Sequence, residues 1–156
     1  MSVRAAFVAL AVVAACGGDD TDPQALPAVS LASLDGTAPA LELDTLRGPA
    51  VVNLWATWCV PCRQELPAFQ EVSVARADVR FVGVDIGEQS ERARSYLDEL
   101  GVTFDQYADP TGELTDALGV AGLPITLVVD DAGMVVRQHL GPMSVEDLEE
   151  AIDDVR

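Results

Sequence analysis

Apolar positions recur with two different spacings after residue 28 and divide the chain into predicted strands and helices. Short apolar and β-branched runs bounded by turn residues predict strands, whereas apolar residues three or four apart predict helices. The predicted strands are residues 29–35, 41–46, 50–55, 79–86, 102–107, 125–129 and 134–140. The predicted helices are residues 59–74, 89–100, 111–118 and 144–155.

The order of these elements indicates an α/β domain. Residues 50–55 form an almost continuous apolar run, which is typical of a strand buried on both faces. The helix over 59–74 follows, and Pro67 inside it is expected to kink it. Ser144 and Asp147 form a Ser-x-x-acid capping box, which predicts the start of the last helix. We therefore expect a central mixed β-sheet flanked by helices, with an N-terminal β-hairpin extension.

The first 15 residues differ from the rest, since Arg4 is followed by an apolar run over residues 5–15. Eleven apolar residues are too few to cross a bilayer but suit a signal peptide. The run ends at Cys16 in a pattern that resembles the bacterial lipoprotein signal, in which that cysteine is lipidated. We expect a lipoprotein signal peptide over 1–15, a lipid anchor on Cys16, a flexible tether over 16–28 and one domain over 29–156. The alternative is an ordinary secretory peptide with Cys16 incidental.

Composition and charge limit the classes of function that the chain can have. The chain has 156 residues, about one domain's length, and 49% of them are hydrophobic, which is enough for a core. Nine arginines, no lysine and 26 acidic residues give a net charge of −17. This balance argues against binding to nucleic acid and against adsorption to anionic lipid, because both need clustered basic residues.

Cys59 and Cys62 form a C-x-x-C pair between a predicted buried strand and a helix. Cys59 would lie at the helix N-terminus, where free N–H groups and the helix dipole stabilise a thiolate. Cys62 would lie one turn later and could attack a mixed disulfide on Cys59. Pro61 suits the first helical turn, where its missing N–H costs nothing. The spacing therefore predicts Cys59 as nucleophile and Cys62 as resolving thiol.

Other uses of a C-x-x-C pair fit less well. A structural zinc site needs four ligands, and the chain adds only the distant His139, so we expect no metal and no cofactor. Covalent haem attachment needs a histidine after the second cysteine, and Arg63 stands there. A purely structural disulfide is the other alternative, although so small a loop restrains the unfolded chain little.

The segments NLWATWCVPCRQELP and GLPITLVVDDAG resemble the thioredoxin superfamily, and in particular the exported TlpA/ResA-like thiol–disulfide oxidoreductases. The resemblance covers residues 29–152 and implies a thioredoxin-like fold. It implies that Pro124, after Leu123, is a cis-proline facing the cysteine pair, and that Glu65 is an acidic residue that tunes the thiols. Family members often carry threonine after this proline, where this chain has Ile125. Client contacts are expected from Trp58, Pro61, Leu123 and Pro124.

Asn53 stands where cytoplasmic thioredoxins hold a buried aspartate. Asparagine does not titrate, so proton transfer to or from Cys62 would need another group. Glu65 is our hypothesis for that general acid and base.

The resemblance implies an extracytoplasmic, membrane-tethered and monomeric reductase of disulfides in exported client proteins, with cytochrome c maturation among its processes. A membrane thiol transporter would supply the electrons.

Two alternative functions stay open. One is a peroxiredoxin-like peroxidase, which needs a lone peroxidatic cysteine in a different loop. The other is a non-enzymatic copper-binding or copper-delivery module, which usually has three residues between its cysteines and an added histidine.

Overall fold

A computed structural model describes residues 20–87 and 90–154 as one mixed sheet with helices on both faces. The strands in these ranges are β1 (Asp20–Ala25), β2 (Ser30–Ser33), β3 (Leu41–Glu42), β4 (Ala50–Trp55), β5 (Arg80–Asp85), β6 (Asp105–Ala108), β7 (Ile125–Val129) and β8 (Met134–Leu140). The helices are α1 (Val60–Ala75), α2 (Ser90–Leu100), α3 (Glu113–Leu118) and α4 (Val145–Asp153). The sheet order is β1-β8-β7-β4-β5-β6-β2-β3.

Strand β4 is the centre of the sheet, and every one of its six residues is buried. It pairs in parallel with β5 and antiparallel with β7. Alternate side chains enter two different cores: Val52 and Leu54 pack on one face, whereas Val51 packs with Phe69 of α1 on the other. The continuous apolar pattern of residues 50–55 therefore arises, as predicted, from burial on both faces of the sheet. The chain leaves the sheet at the end of β4 and begins α1 at Val60.

The predicted N-terminal hairpin is present. Strands β2 and β3 pair antiparallel, with Leu31 opposite Leu41, and β2 also pairs with β6. The second arm is shorter than predicted, because the chain turns into a single 3-10 turn at Leu43–Thr45. The turn lets Leu43 and Leu46 enter the core on the same side, which an extended strand would not allow.

The structure differs from the predicted tether at Asp20–Ala25, which form β1 and pair antiparallel with β8. This pairing covers the backbone N–H and C=O groups of β8, which would otherwise be an open edge. Pro23 is tolerated in such an edge strand, since its outer side needs no donor. The side-chain pattern of residues 20–25 does not predict this strand, because its pairing with β8 depends on backbone groups.

Pro67 lies inside α1 and does not end it, since the helix runs from Val60 to Ala75. The capping box that begins α4 is present: Ser144 Oγ accepts from Asp147 N–H at 3.2 Å, and Asp147 Oδ2 accepts from Ser144 N–H at 2.9 Å. The capping box fixes the start of α4, which packs against α1.

No helix in the described ranges has the length and apolar character needed to cross a membrane. The predicted signal peptide over 1–15 and Cys16 lie outside the described residues.

Candidate active site

The cysteine pair lies where β4 gives way to α1. Cys59 is the N-cap of α1, and its Sγ accepts a hydrogen bond from Cys62 N–H at 3.2 Å. The two residues form a disulfide with an S–S distance of 2.02 Å. Cys59 is 5% exposed and Cys62 is fully buried. The first cysteine is thus the one that another molecule can reach.

The position of Cys59 favours its thiolate once the disulfide is reduced. An N-cap side chain faces the unpaired N–H groups of the first helical turn, and these groups stabilise a negative charge. Pro61 lies in that turn and leaves the helix intact. The pair can therefore perform the two steps of dithiol–disulfide exchange, with Cys59 attacking first.

Glu65 lies one helical turn beyond Cys62 and is only 2% exposed. Its Oε1 accepts from Asn53 Nδ2 at 2.8 Å, and its Oε2 accepts from the backbone N–H of Met143 at 3.1 Å. Burial raises the pKa of this carboxyl from 4.5 to about 7, and the two hydrogen bonds offset part of that effect. Residues three apart on a helix have Cβ atoms about 5–6 Å from each other, so a group that titrates near neutrality lies beside Cys62.

Asn53 of β4 and Thr126 of β7 are opposite each other in the sheet, and both are fully buried. Asn53 Nδ2 is 3.4 Å from Thr126 Oγ1 in addition to its bond to Glu65. Asn53 Oδ1 has no hydrogen-bond partner among the described residues. The cluster of Asn53, Glu65 and Thr126 is thus a small polar site enclosed in an apolar core.

The buried Glu65 carboxyl should make stability depend on pH. Between pH 4.5 and about 7 the folded chain binds a proton that the unfolded chain has released, so the free energy of unfolding falls as pH rises. The full loss is about 3 kcal/mol, and it is complete above the folded-state pKa. Glu65→Gln has no such proton. Urea titrations of both proteins from pH 4 to 8 should give curves that converge or cross as pH rises, and parallel curves would rule this linkage out.

A surface groove of about 610 Å³ lies in front of Cys59, and we call it the Cys59 groove. Its α1 side consists of Trp58, Cys59, Val60 and Pro61. Its other side consists of Ile86, Thr115 and residues 120–123. Trp58 and Val60 are about 60% exposed, whereas Trp55 is fully buried, so the two tryptophans have different roles. The groove is apolar, open and directly beside the reactive sulfur.

The structure brings three of the four predicted client-contact residues to one place. Trp58, Pro61 and Leu123 line the Cys59 groove with Cys59. The Leu123–Pro124 peptide bond is cis, as the resemblance implies, and Pro124 O accepts from Gly141 N–H at 2.9 Å. Pro124 is buried at the start of β7, next to the groove wall.

Several residues of the site have no clear sequence signal. Met143 reads as a packing residue, yet its backbone N–H binds Glu65. Asp109 reads as one acidic residue among many, yet it is 2% exposed and its carboxylate accepts from the N–H groups of Glu113 and Leu114. That contact fixes the start of α3, which carries Thr115 of the groove wall. The one sequence signal for this role of Asp109 is its place in the segment Asp-Pro-Thr-Gly, directly before α3.

Among the described residues, no group of three or more His, Cys, Asp or Glu side chains is placed to hold a metal ion. Beside the cysteine pair, the described site places the buried carboxyl of Glu65.

Comparison with known proteins adds an independent line of support. The family model named Redoxin matches residues 21–152. The chain is 36% identical over 138 residues to a thiol:disulfide interchange protein DsbE homologue of Paracoccus denitrificans, covering 81% of this chain and 75% of that protein. It is 30% identical over 118 residues to the thiol–disulfide oxidoreductase ResA of Geobacillus thermodenitrificans, covering 74% and 68%. The solved structure of DsbF from MTB, in mixed oxidised and reduced forms, superposes with a TM-score of 0.76 at 30% identity over 85% of this chain and 98% of that one.

Proposed function

The chain belongs to the Redoxin family and is a thiol–disulfide oxidoreductase of the DsbE/ResA type, and on that basis we propose that it reduces disulfides in exported client proteins. The observation that carries this proposal is the Cys59–Cys62 pair at the N-terminus of α1, with only Cys59 open to the Cys59 groove. A nucleophile that lines an open groove, next to a fully buried resolving thiol, suits dithiol exchange.

The reaction has two displacements. The Cys59 thiolate attacks one sulfur of the client disulfide, that S–S bond breaks, a mixed disulfide forms and one client sulfur leaves as a thiolate. The Cys62 thiolate then attacks Cys59 Sγ, which closes the Cys59–Cys62 disulfide and releases the second client sulfur. Two electrons pass to the client, and a dithiol donor must reduce the pair again.

Glu65 is our candidate for the proton transfers of the second displacement. Cys62 is fully buried, so its thiol must lose a proton without direct contact with bulk water. Glu65 is buried beside it with a pKa of about 7, close to the value that suits a general base at neutral pH. Asn53 holds the Glu65 carboxyl by its 2.8 Å hydrogen bond but cannot itself accept the proton.

The reducing direction is a proposal about the potential of the cysteine pair. Proteins of this fold range from about −270 mV for a reductase to about −120 mV for an oxidant. We expect the pair to lie near the reducing end. Equilibration with glutathione redox buffers, followed by thiol counting, would measure it, and a value near −120 mV would reverse the proposed direction.

The site of action is proposed to be extracytoplasmic, with a lipid on Cys16 that holds the monomeric domain at a membrane. The support is the apolar run over 5–15 that ends at Cys16. A membrane thiol transporter would be the electron donor, and cytochrome c maturation is one process that such a reductase could serve.

The anchor makes a direct prediction. In a bacterial host, the protein should incorporate labelled palmitate and sediment with membranes, whereas Cys16→Ser should lose both the label and the sedimentation. Cys59→Ser is the matched control, since it makes the same substitution at a cysteine that is not proposed to carry lipid, and it should keep the label. Persistence of the label in Cys16→Ser would show that the anchor lies elsewhere or does not exist.

Two assays on the same sample separate the proposed activity from the copper alternative. The chain should catalyse insulin reduction by a dithiol and should bind no stoichiometric Cu(I). A stoichiometric Cu(I) complex without turnover would favour a copper module. A peroxidase would instead consume hydrogen peroxide without a disulfide client.

A further inference from the structure

The Cys59 groove differs in charge from the rest of the molecule. Among the described residues that line it, none carries a charge. In contrast, the whole chain has 26 acidic and nine basic residues. Two contributions to client binding can therefore be distinguished. One is apolar contact inside the groove, and the other is the electrostatic field of the acidic residues around it.

Acidic side chains occupy the elements next to the groove. Helix α3 provides Thr115 to the groove wall and exposes Glu113 and Asp116. The first turn of α4 exposes Glu146 and Asp147, and it follows the loop that bonds to Pro124 and Glu65. Acidic side chains are therefore exposed on α3, which forms part of the groove wall, and on the first turn of α4, which follows the loop bonded to Pro124.

The arginines with defined contacts do not offset this charge at the groove. Arg76 pairs with Asp153 at 2.9 Å, Arg80 pairs with Asp105 at 3.1 Å, and Arg137 pairs with Asp154 at 3.1 Å. Arg63 is the arginine nearest in sequence to the cysteines, and its guanidinium lies 4.9 Å from the ring centroid of Tyr96 on α2. Its guanidinium is thus in contact with α2.

We propose that this enzyme selects cationic clients: polypeptide segments that place apolar side chains beside a disulfide in the Cys59 groove and carry basic residues on either side. This inference rests on the proposed reductase function and adds the charge class of the substrate. The apolar residues would fill the groove between Trp58 and Leu123, and the flanking basic residues would lie near the carboxylates of α3 and α4.

The physical basis is electrostatic steering. A protein with a large net charge of one sign raises the encounter rate of oppositely charged partners by about 10-fold to 1,000-fold and repels partners of its own sign. The effect is strong at about 10 mM salt, where the Debye length is about 30 Å, and small at about 1 M, where it is about 3 Å. Apolar contacts in the groove do not weaken in this way.

The test uses two disulfide-bonded peptides that share Leu and Val beside their cysteines and differ only in two terminal residues, both lysine or both glutamate. Reduction of each peptide by the full chain is followed with a dithiol as electron donor, and a neutral small disulfide is the reference. At about 10 mM salt we expect kcat/KM for the lysine peptide to exceed that for the glutamate peptide by about 10-fold or more. At about 1 M salt the ratio should approach one.

A pair of variants tests whether the acids beside the groove contribute. Glu113→Gln/Asp116→Asn removes two charges on α3, and Glu99→Gln/Asp131→Asn removes two exposed charges at the end of α2 and in the turn between β7 and β8. One charge about 10 Å away in water changes a rate about twofold, so the α3 variant should lower kcat/KM for the lysine peptide about fourfold and raise that for the glutamate peptide by about the same factor. The remote variant, with the same net charge, should change both rates less.

The outcomes are distinct. Equal rates for the two peptides at low salt, with normal turnover of the neutral disulfide, overturn the charge selectivity and leave the reductase function intact. A ratio that does not fall with salt also overturns it, because steering must be screened. Loss of turnover with all three substrates overturns both proposals.

Discussion

Cys59→Ser should reduce disulfide turnover to the rate measured without protein. Serine at this position keeps the N-cap, because its hydroxyl can accept from the N–H of Cys62 as the sulfur does. It is not a thiolate nucleophile, and Cys62 is fully buried and cannot replace it. The assay is insulin reduction with a dithiol donor.

The fold should survive this substitution. The disulfide closes a loop of only four residues, which stabilises the protein by about 2 kcal/mol in the chain-entropy model. Circular dichroism should thus show a folded chain with a lower urea midpoint than the oxidised wild type. Cys16→Ser makes the same change at a cysteine outside the exchange pair and should keep full turnover. Turnover by Cys59→Ser would show that Cys59 is not the nucleophile.

Glu65→Gln should slow release of the client from its mixed disulfide by about 100-fold, at the low end of what a general base contributes. Glutamine has the same shape, and its Oε1 can still accept from Asn53, but its amide cannot take the proton of Cys62. The amide also cannot accept from Met143 N–H, which costs about 1 kcal/mol of stability. Stopped-flow mixing of the reduced protein with a disulfide peptide separates the two displacements.

The pH profile distinguishes proton transfer from a merely structural role. The wild-type rate of the second displacement should change with an apparent pKa near 7, and that dependence should be lost in Glu65→Gln. Glu71→Gln makes the same substitution on an exposed residue of α1 and should leave both the rate and the profile unchanged. If Glu65→Gln has wild-type rates and wild-type thiol pKa values, Glu65 has no part in the chemistry.

The features that short-range pattern determines were predictable. Strands β4, β7 and β8 have the predicted bounds. Their apolar residues form short runs or alternate with polar residues, and both patterns are typical of strands. Ser144 and Asp147 begin α4 as predicted, since a capping box needs only neighbours in sequence. The position of Cys59 at a helix N-terminus follows from the same local logic.

The features that depend on distant partners were not predictable. Strand β1 exists because β8 offers it backbone groups, and no side-chain pattern records that. The pKa of Glu65 depends on burial and on Asn53 and Met143, which are 12 and 78 residues away. The wall of the Cys59 groove depends on Asp109, whose role as an anchor for α3 is visible only when α3 is in place.

The central claim is that Cys59 attacks client disulfides and Cys62 releases the product. Trapping with Cys62→Ser tests it most directly, since the mixed disulfide on Cys59 then has no internal resolving thiol. We predict adducts with exported proteins that disappear on reduction, map by mass spectrometry to Cys59, and are absent from Cys59→Ser/Cys62→Ser. Absence of adducts in Cys62→Ser, or equal adducts in the double variant, would contradict the account.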